Sequence, residues 1–182
     1  EEEMFLKSYK AAQLRNLSII AHGGAGKSSL ADAMLYTAGM VNRLGRVDAG
    51  TSIMDHDPEE IKRKISINSS LAPCEWKDHK VNLIDTPGFF DFVGEVKGAL
   101  RVSDGALVVV CAASGVEVGT EQVWEYSEEM AIPKVVMVNK MDRENVDFDK
   151  VFEALRENFG TKLAPVVIPI GSADDFRGVV SL

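Results

Sequence analysis

The eight residues at positions 21–28, Ala-His-Gly-Gly-Ala-Gly-Lys-Ser, constrain the fold of this chain more than any other feature. An apolar stretch at 17–20 precedes them, and a pattern with helical spacing follows them. Except for Ala21 at its first position, the segment fits GxxxxGK[ST], a pattern that needs a strand before it and a helix after it. The segment therefore predicts a phosphate-binding loop inside an α/β domain.

The residue types of this loop each have a chemical reason. Glycines let backbone N–H groups turn toward anionic oxygens, and the N-terminus of the following helix adds its positive dipole end. The amine of Lys27 reaches the β- and γ-phosphates, and the hydroxyl group of Ser28 is a suitable ligand for Mg²⁺.

Apolar runs alternate with helical patterns along the rest of the chain, which favours a mostly parallel sheet covered by helices. Strands are predicted at 17–21, 66–76, 80–85, 106–111, 134–139 and 165–170. Helices are predicted at 27–38, 94–101, 119–130 and 147–158. Residues 77–79 are short enough to close a hairpin, so one antiparallel edge strand is expected. The polar segment 39–64 shows no sustained period and is predicted to be a long functional loop.

A second motif, at residues 81–88, is an apolar strand that ends in Asp85-Thr-Pro-Gly. An Asp at the carboxyl end of a parallel strand lies beside a phosphate loop and holds Mg²⁺ through water, while the N–H group of Gly88 is placed to bond a γ-phosphate. Alone this is a common turn sequence. Its position downstream of a phosphate loop favours the phosphate-sensing interpretation.

A third motif, Asn139-Lys-Met-Asp142, also ends an apolar run. The Asp142 carboxylate can accept hydrogen bonds from the N1–H and 2-amino groups of guanine, which adenine lacks, so discrimination can be large. The Asn139 side chain is expected to join this base-binding loop to the phosphate loop, with the stem of Lys140 along the base. This motif disfavours an ATPase.

Composition limits the partners and the compartment. The chain has 182 residues, a length typical of one domain, and a formal net charge of -8, which argues against broad nucleic-acid binding. Cys74 and Cys111 lie in apolar stretches without metal-ligand spacing and are interpreted as buried reduced thiols. The apolar stretch 105–113 is far too short to span a bilayer, and the acidic start is unlike a signal peptide. The expected compartment is the cytoplasm, with no DNA or membrane partner.

The order of these motifs resembles the GTP-binding domain of translational GTPases. The segments DTPGFFDF at 85–92, RVSDGALVVV at 101–110, GVEVGTE at 115–121 and NKMDR at 139–143 look like elongation factor G and, more narrowly, the elongation factor G-like proteins. The resemblance runs from about Leu14 to Leu182. It implies a P-loop NTPase fold of three α/β/α layers, with GTP or GDP and Mg²⁺ as ligands and the ribosome as partner.

The resemblance also implies roles for individual residues. Segments 39–66 and 88–98 correspond to the first and second switches. Lys27 and Gly88 are the expected catalytic residues, and Ser28, Ser66 and Asp85 are the expected metal ligands. The expected nucleotide contacts are Ala21, His22, Gly23, Gly24, Ala25, Gly26, Lys27, Ser28, Ser29, Asp85, Thr86, Pro87, Gly88, Asn139, Lys140 and Asp142. His22 has no expected catalytic role.

Two departures from the family pattern bear on activity. Family members that hydrolyse GTP rapidly on the ribosome carry His immediately after Asp-Thr-Pro-Gly, where it orients the attacking water, and this chain has Phe89 there. A phenyl ring cannot position water in that way, so slow hydrolysis, or hydrolysis by another route, is expected. The alternative is a nucleotide-gated binding module with little GTPase activity. Gly24 replaces a family Asp, which puts a monovalent-cation site near the phosphates in doubt.

The resemblance divides the chain into an amino-terminal extension at 1–14, a GTP-binding domain at 15–163 and, at 164–182, the start of the subdomain that elongation factor G inserts. On this interpretation the chain is truncated before its own guanine-contacting Ser-Ala loop. Spacing alone leaves open that Ser172-Ala173 is that loop. The basic run at 62–64 is either a solvated patch or a contact for ribosomal RNA.

Overall fold

The structure is a computed structural model that describes residues 7–182. Strands lie at β1 (Leu14–Ile20), β2 (Ser70–Trp76), β3 (His79–Asp85), β4 (Gly105–Cys111), β5 (Lys134–Asn139), β6 (Val167–Ile170) and β7 (Gly178–Ser181). Helices lie at α1 (Lys27–Thr37), α2 (Pro58–Arg63), α3 (Val93–Arg101), α4 (Val118–Glu129) and α5 (Phe148–Phe159).

The main sheet has five strands in the order β2-β3-β1-β4-β5. The pairings of β1 with β3, of β1 with β4 and of β4 with β5 are parallel. In this sheet β2 alone runs antiparallel, paired with β3 at the edge. The fold class is thus confirmed, including the single antiparallel edge strand. Because parallel strands share one direction, β1, β3, β4 and β5 all end at the same edge, where the three motifs follow.

Two apolar clusters cover the two faces of the sheet. Ile19 and Ile20 are consecutive on β1 and therefore point to opposite faces, and both are fully buried. Ile19 joins Ala31 and Leu35 of α1 in one cluster. Ile20 joins residues of α3, α4 and α5 in the other. The helices on both faces complete the predicted three layers.

Several local expectations were wrong. The strand predicted from 66 begins at Ser70, and the segment 39–64, expected to be irregular, contains α2. Asp57 caps α2 by accepting a 2.7 Å hydrogen bond from the Glu59 N–H, and Pro58 stands at its first position, where a missing N–H costs nothing. The signals for α2 are therefore capping signals, which a search for an apolar period does not detect.

The chain's last two strands lie outside the main sheet. A strand is predicted at 165–170, and the structure has β6 there, paired with β7, antiparallel, in a separate two-stranded sheet. The Ser172-Ala173 turn between these strands bonds to the main domain, since the Ala173 N–H donates to the Met141 carbonyl at 2.8 Å. Within residues 7–182, no helix is both long enough and apolar enough to cross a membrane.

Candidate functional site

The phosphate loop connects the end of β1 to the start of α1, at the carboxyl edge of the sheet. Gly26 precedes α1 with a φ of 99°, a left-handed conformation that favours glycine. A methyl group on Gly26 would lie 2.6 Å from Nδ2 of Asn139, so this position also has no room for a side chain. Ala21 and Ala25 are buried, whereas Gly24 and Ser29 are exposed.

Lys27 is buried at the base of the loop, with 6% of its surface exposed. Its Nζ donates to the carbonyls of Ala21 and His22 at 3.4 and 3.3 Å, distances longer than typical of such bonds. Burial lowers the pKa of Lys27 to about 8, although the charge of nearby Asp85 acts in the opposite direction. This weakly bonded ammonium group is placed to exchange its carbonyl partners for an anion.

Ser28, Ser66 and Asp85, the three expected metal ligands, form one hydrogen-bonded cluster. The Ser28 hydroxyl donates to Oδ2 of Asp85 at 2.5 Å and lies 3.1 Å from the Ser66 hydroxyl. The Ser66 hydroxyl donates in turn to Oδ1 of Asp55 at 3.2 Å. Residues 66 and 28, which are distant in sequence, thus meet as the resemblance predicts.

The donor set of this cluster fits Mg²⁺. Oδ1 of Asp85 is buried and lacks a protein hydrogen-bond partner, an arrangement that a hard cation or its bound water would satisfy. Burial raises the pKa of Asp85 to about 6, partly offset by the Ser28 hydrogen bond and by Lys27. Among the described residues no group of three His, Cys, Asp or Glu side chains is placed to hold a metal.

The second switch follows β3 and packs directly on the phosphate loop. Thr86 is fully buried and donates to the Ile19 carbonyl at 2.8 Å, which fixes the start of the turn. A methyl group on Gly88 would lie 2.5 Å from Nζ of Lys27 and 2.8 Å from Cα of Gly23. Gly88 therefore lies directly against Lys27 and the phosphate loop.

The third motif reaches the same loop from β5. Nδ2 of Asn139 donates to the Ala25 carbonyl at 2.9 Å, the link that the sequence predicts. Nζ of Lys140 donates to the Gly24 carbonyl at 2.6 Å. Asp142 is exposed in the turn after β5, open to a base that would lie on the Lys140 stem.

His22, given no catalytic role, points away from this cluster. Its Nε2 lies 3.5 Å from Oε1 of Glu117, and its ring meets the Phe90 ring edge-on at 6.4 Å between centroids. The side chain thus packs between the start of α4 and the second switch.

Sequence reasoning missed Glu60, the residue that organises the first switch. Its side chain is 1% exposed, and its two oxygens accept bonds from four backbone N–H groups. The donors are His56 at 3.1 Å, Asp57 at 3.0 Å, Ile67 at 2.9 Å and Asn68 at 2.9 Å. Burial alone would raise the pKa of Glu60, but these bonds outweigh burial and lower it. The signal was the spacing of Asp57 and Glu60, which is typical of a capping box.

The basic residues at 62–64 are exposed. Lys62 and Arg63 both lie near the Glu59 carboxylate, at 3.8 and 2.9 Å, so part of this positive charge is neutralised within α2.

The phosphate loop, the acidic end of β3 and the loop after β5 define a P-loop nucleotide-binding domain, with all three loops at one edge of a parallel sheet.

Comparison with known proteins gives the family. Residues 12–182 match the model of the elongation factor Tu GTP binding domain, so the chain belongs to this family of GTP-binding domains. The chain is 43% identical over 176 residues to elongation factor G of Salinibacter ruber, covering 97% of this chain and 25% of the relative. It is 41% identical over 173 residues to elongation factor G 2 of Syntrophus aciditrophicus, covering 95% and 26%.

A crystal structure of a protein from Thermus thermophilus has the same fold. Its TM-score is 0.88 at 37% identity, and the match covers 94% of this chain and 26% of that one. The chain thus spans about a quarter of the length of these relatives. The predicted resemblance to the GTP-binding domain of elongation factor G is confirmed.

Proposed function

We propose that this domain binds GTP and GDP together with Mg²⁺ and hydrolyses GTP slowly, as the nucleotide switch of a ribosome-associated factor of the cytoplasm. One observation carries the proposal. Asp85, at the end of β3, and Asn139, at the end of β5, are hydrogen-bonded to Ser28 and Ala25 of the loop that also carries Lys27. Phosphates, cation and base would meet there.

Each expected nucleotide contact is assigned to one part of a bound GTP. The N–H groups of residues 21–28 would surround the β-phosphate, with Ser29 in the first turn of α1. Nζ of Lys27 would leave the Ala21 and His22 carbonyls and bond phosphate oxygens, where its charge stabilises the transition state. Asp142 would read the guanine edge.

Ser28 and Ser66 would hold Mg²⁺ directly, and Asp85 would hold it through water. Mg²⁺ held by these residues would neutralise part of the phosphate charge. Ser66 belongs to the first switch and Gly88 to the second, so each would be ordered by the γ-phosphate. In that way the switches would report the bound nucleotide to the ribosome.

Slow hydrolysis rests on Phe89, whose ring offers no hydrogen bond to an attacking water. The competing function is a binding module that works by occupancy with little hydrolysis. Measurement of phosphate release over several turnovers, with and without ribosomes, separates the two.

We also propose that residues 15–163 form the GTP-binding domain and that residues 164–182 begin an inserted subdomain. The separate pairing of β6 with β7 supports this division. The bond from Ala173 to Met141 favours the alternative, that Ser172-Ala173 lines the base pocket, because it holds this turn next to the third motif.

The test is calorimetric titration with GDP, with a non-hydrolysable GTP analogue and with ADP, each in Mg²⁺ and in EDTA. Binding of both guanine nucleotides, weakened by EDTA and absent for ADP, is expected. Lys27→Met should abolish binding, whereas Lys150→Met, at an exposed lysine of α5, should not. Equal binding of ADP and GDP would contradict the proposal.

A further inference from the structure

The ring of Phe89 lies on Gly23 of the phosphate loop. A methyl group on Gly23 would lie 3.3 Å from Cζ and 3.5 Å from Cε1 of Phe89, and 3.5 Å from the carbonyl oxygen of Gly88. These are the three nearest atoms, so the surroundings of Gly23 are made by the second switch. Phe89 is exposed over 45% of its surface, and the rest of the residue is covered.

Gly88, the residue before Phe89, also lies close to the phosphate loop. Only 2.5 Å would separate a methyl group on Gly88 from Nζ of Lys27, and 2.9 Å would separate it from the Gly23 N–H nitrogen. A γ-phosphate has to fit between the Lys27 ammonium and the Gly88 N–H, at hydrogen-bond distance from each. Because a methyl carbon lies about 1.5 Å from its Cα, the Cα of Gly88 is within about 4 Å of Nζ of Lys27, which is too close for a phosphate group to lie between them. A β-phosphate, held by the loop N–H groups, does not need this space.

We propose that Phe89 is a specificity-determining residue, which by packing on Gly23 holds the second switch closed and makes the domain prefer a nucleoside diphosphate to a triphosphate. This inference rests on the proposed guanine-nucleotide function. Entry of a third phosphate lifts Gly88 and Phe89 away from the loop and exposes the apolar surface between Phe89 and Gly23. A diphosphate binds without that loss of contact.

A change at either Gly23 or Phe89 should therefore disturb the contact between the second switch and the phosphate loop. The φ angle of Gly23 is not positive, so its backbone conformation admits alanine. An added methyl group at 3.3 Å from Cζ is tighter than ordinary contact and displaces the ring. Both Phe89→Ala and Gly23→Ala should consequently open the second switch.

The experiment measures dissociation constants of the full chain for GDP and for a non-hydrolysable GTP analogue, with saturating Mg²⁺. In Phe89→Ala the ratio of the triphosphate constant to the diphosphate constant should fall about fivefold, from the loss of roughly half of one phenylalanine's burial. Phe89→Leu should give a smaller fall. Trp76→Ala is the control, because Trp76 is similarly exposed, at 51%, and lies in the edge strand β2 at the end opposite the phosphate loop.

A double-mutant cycle completes the test, since coupled residues have non-additive effects. Gly23→Ala should lower the ratio in the natural background and leave it unchanged in Phe89→Ala. If guanine nucleotides still bind, an unchanged ratio in Phe89→Ala, or an equal fall in Trp76→Ala, would overturn the inference but not the proposed function. If the natural chain binds neither GDP nor the GTP analogue, the proposed function and this inference are both overturned.

Discussion

The Ser28 hydroxyl donates a 2.5 Å hydrogen bond to Oδ2 of Asp85, and this bond joins the start of α1 to the end of β3. It also leaves Oδ1 of Asp85 buried without a partner. A buried carboxylate oxygen in this state costs stability unless a ligand satisfies it. This unsatisfied oxygen supports the proposal that Asp85 helps to hold Mg²⁺.

Asp85→Asn should separate the cost of the buried carboxylate to stability from its contribution to cation binding. Because the substitution removes a buried charge, the nucleotide-free protein should be at least as stable as the natural one, with an unchanged or higher Tm. Mg²⁺-dependent GDP affinity should fall by about tenfold or more, since a neutral amide is a poor partner for hydrated Mg²⁺. Asp91→Asn, at an exposed position of the second switch, should change neither property. Full Mg²⁺ dependence in Asp85→Asn would exclude Asp85 from the metal site.

The pH dependence of binding should follow the same carboxyl group. Burial raises the pKa of Asp85 to about 6, so the folded protein holds this proton more tightly than the unfolded chain does. The stability that this group contributes at low pH is lost as the pH rises through about 6, whereas Mg²⁺ binding requires the ionised form. GDP affinity in Mg²⁺ should thus weaken as the pH falls below about 6. In Asp85→Asn this dependence should be absent, and a persistent one would assign the titration to another group.

Glu60→Gln should destabilise the domain by about 2 kcal/mol, measured by urea unfolding. A glutamine side chain presents an NH₂ group to two of the four N–H donors, which then lose their acceptor in a partly buried site. Glu59→Gln is the control, because Glu59 is exposed and makes only surface ion pairs, and its effect should stay within about 0.5 kcal/mol. Equal effects of the two substitutions would contradict the organising role of Glu60.

Asp142→Asn should convert the base preference. An amide in place of the carboxylate cannot accept both guanine hydrogens, but its NH₂ group can donate to the 2-carbonyl of xanthine. GDP affinity should fall about 10²-fold and xanthosine diphosphate affinity should rise, as measured by competition titration. Asp78→Asn, at an exposed position of the β2–β3 turn and at the opposite end of the strands from the third motif, should leave both affinities unchanged. An Asp142→Asn variant that retains its preference for GDP would place base recognition elsewhere.

Phe89→His should accelerate single-turnover GTP cleavage on ribosomes by about 10²- to 10⁴-fold, because an imidazole restores a group that hydrogen-bonds the attacking water. Phe90→His adds the same group one residue further along and should not accelerate cleavage. A cleavage rate that Phe89→His leaves unchanged would show that hydrolysis does not depend on a water-orienting side chain at this position.

The elements with clear periodicity were predictable from the sequence. The apolar runs before Ala21, Thr86 and Lys140 correspond to β1, β3 and β5, and their parallel arrangement placed the three motifs together. The burial of Cys74 and Cys111 was also predicted. In contrast, Leu71 and Trp76 of the edge strand β2 are 63% and 51% exposed, although apolar residues in a strand suggest burial. An edge strand has an uncovered side, which its own sequence does not reveal.

What the sequence by itself determined is the class of site, because phosphate, cation and guanine each require particular residue types at the ends of strands. What only the tertiary structure decided is how the switches lie on that site. The Glu60 carboxylate bonds the backbone N–H groups of residues 57 and 68, and the Phe89 ring lies on Gly23. In both cases the contact joins segments that share no periodic pattern. Such contacts depend on the close packing of surfaces that meet only after the chain has folded, so a local pattern cannot specify them.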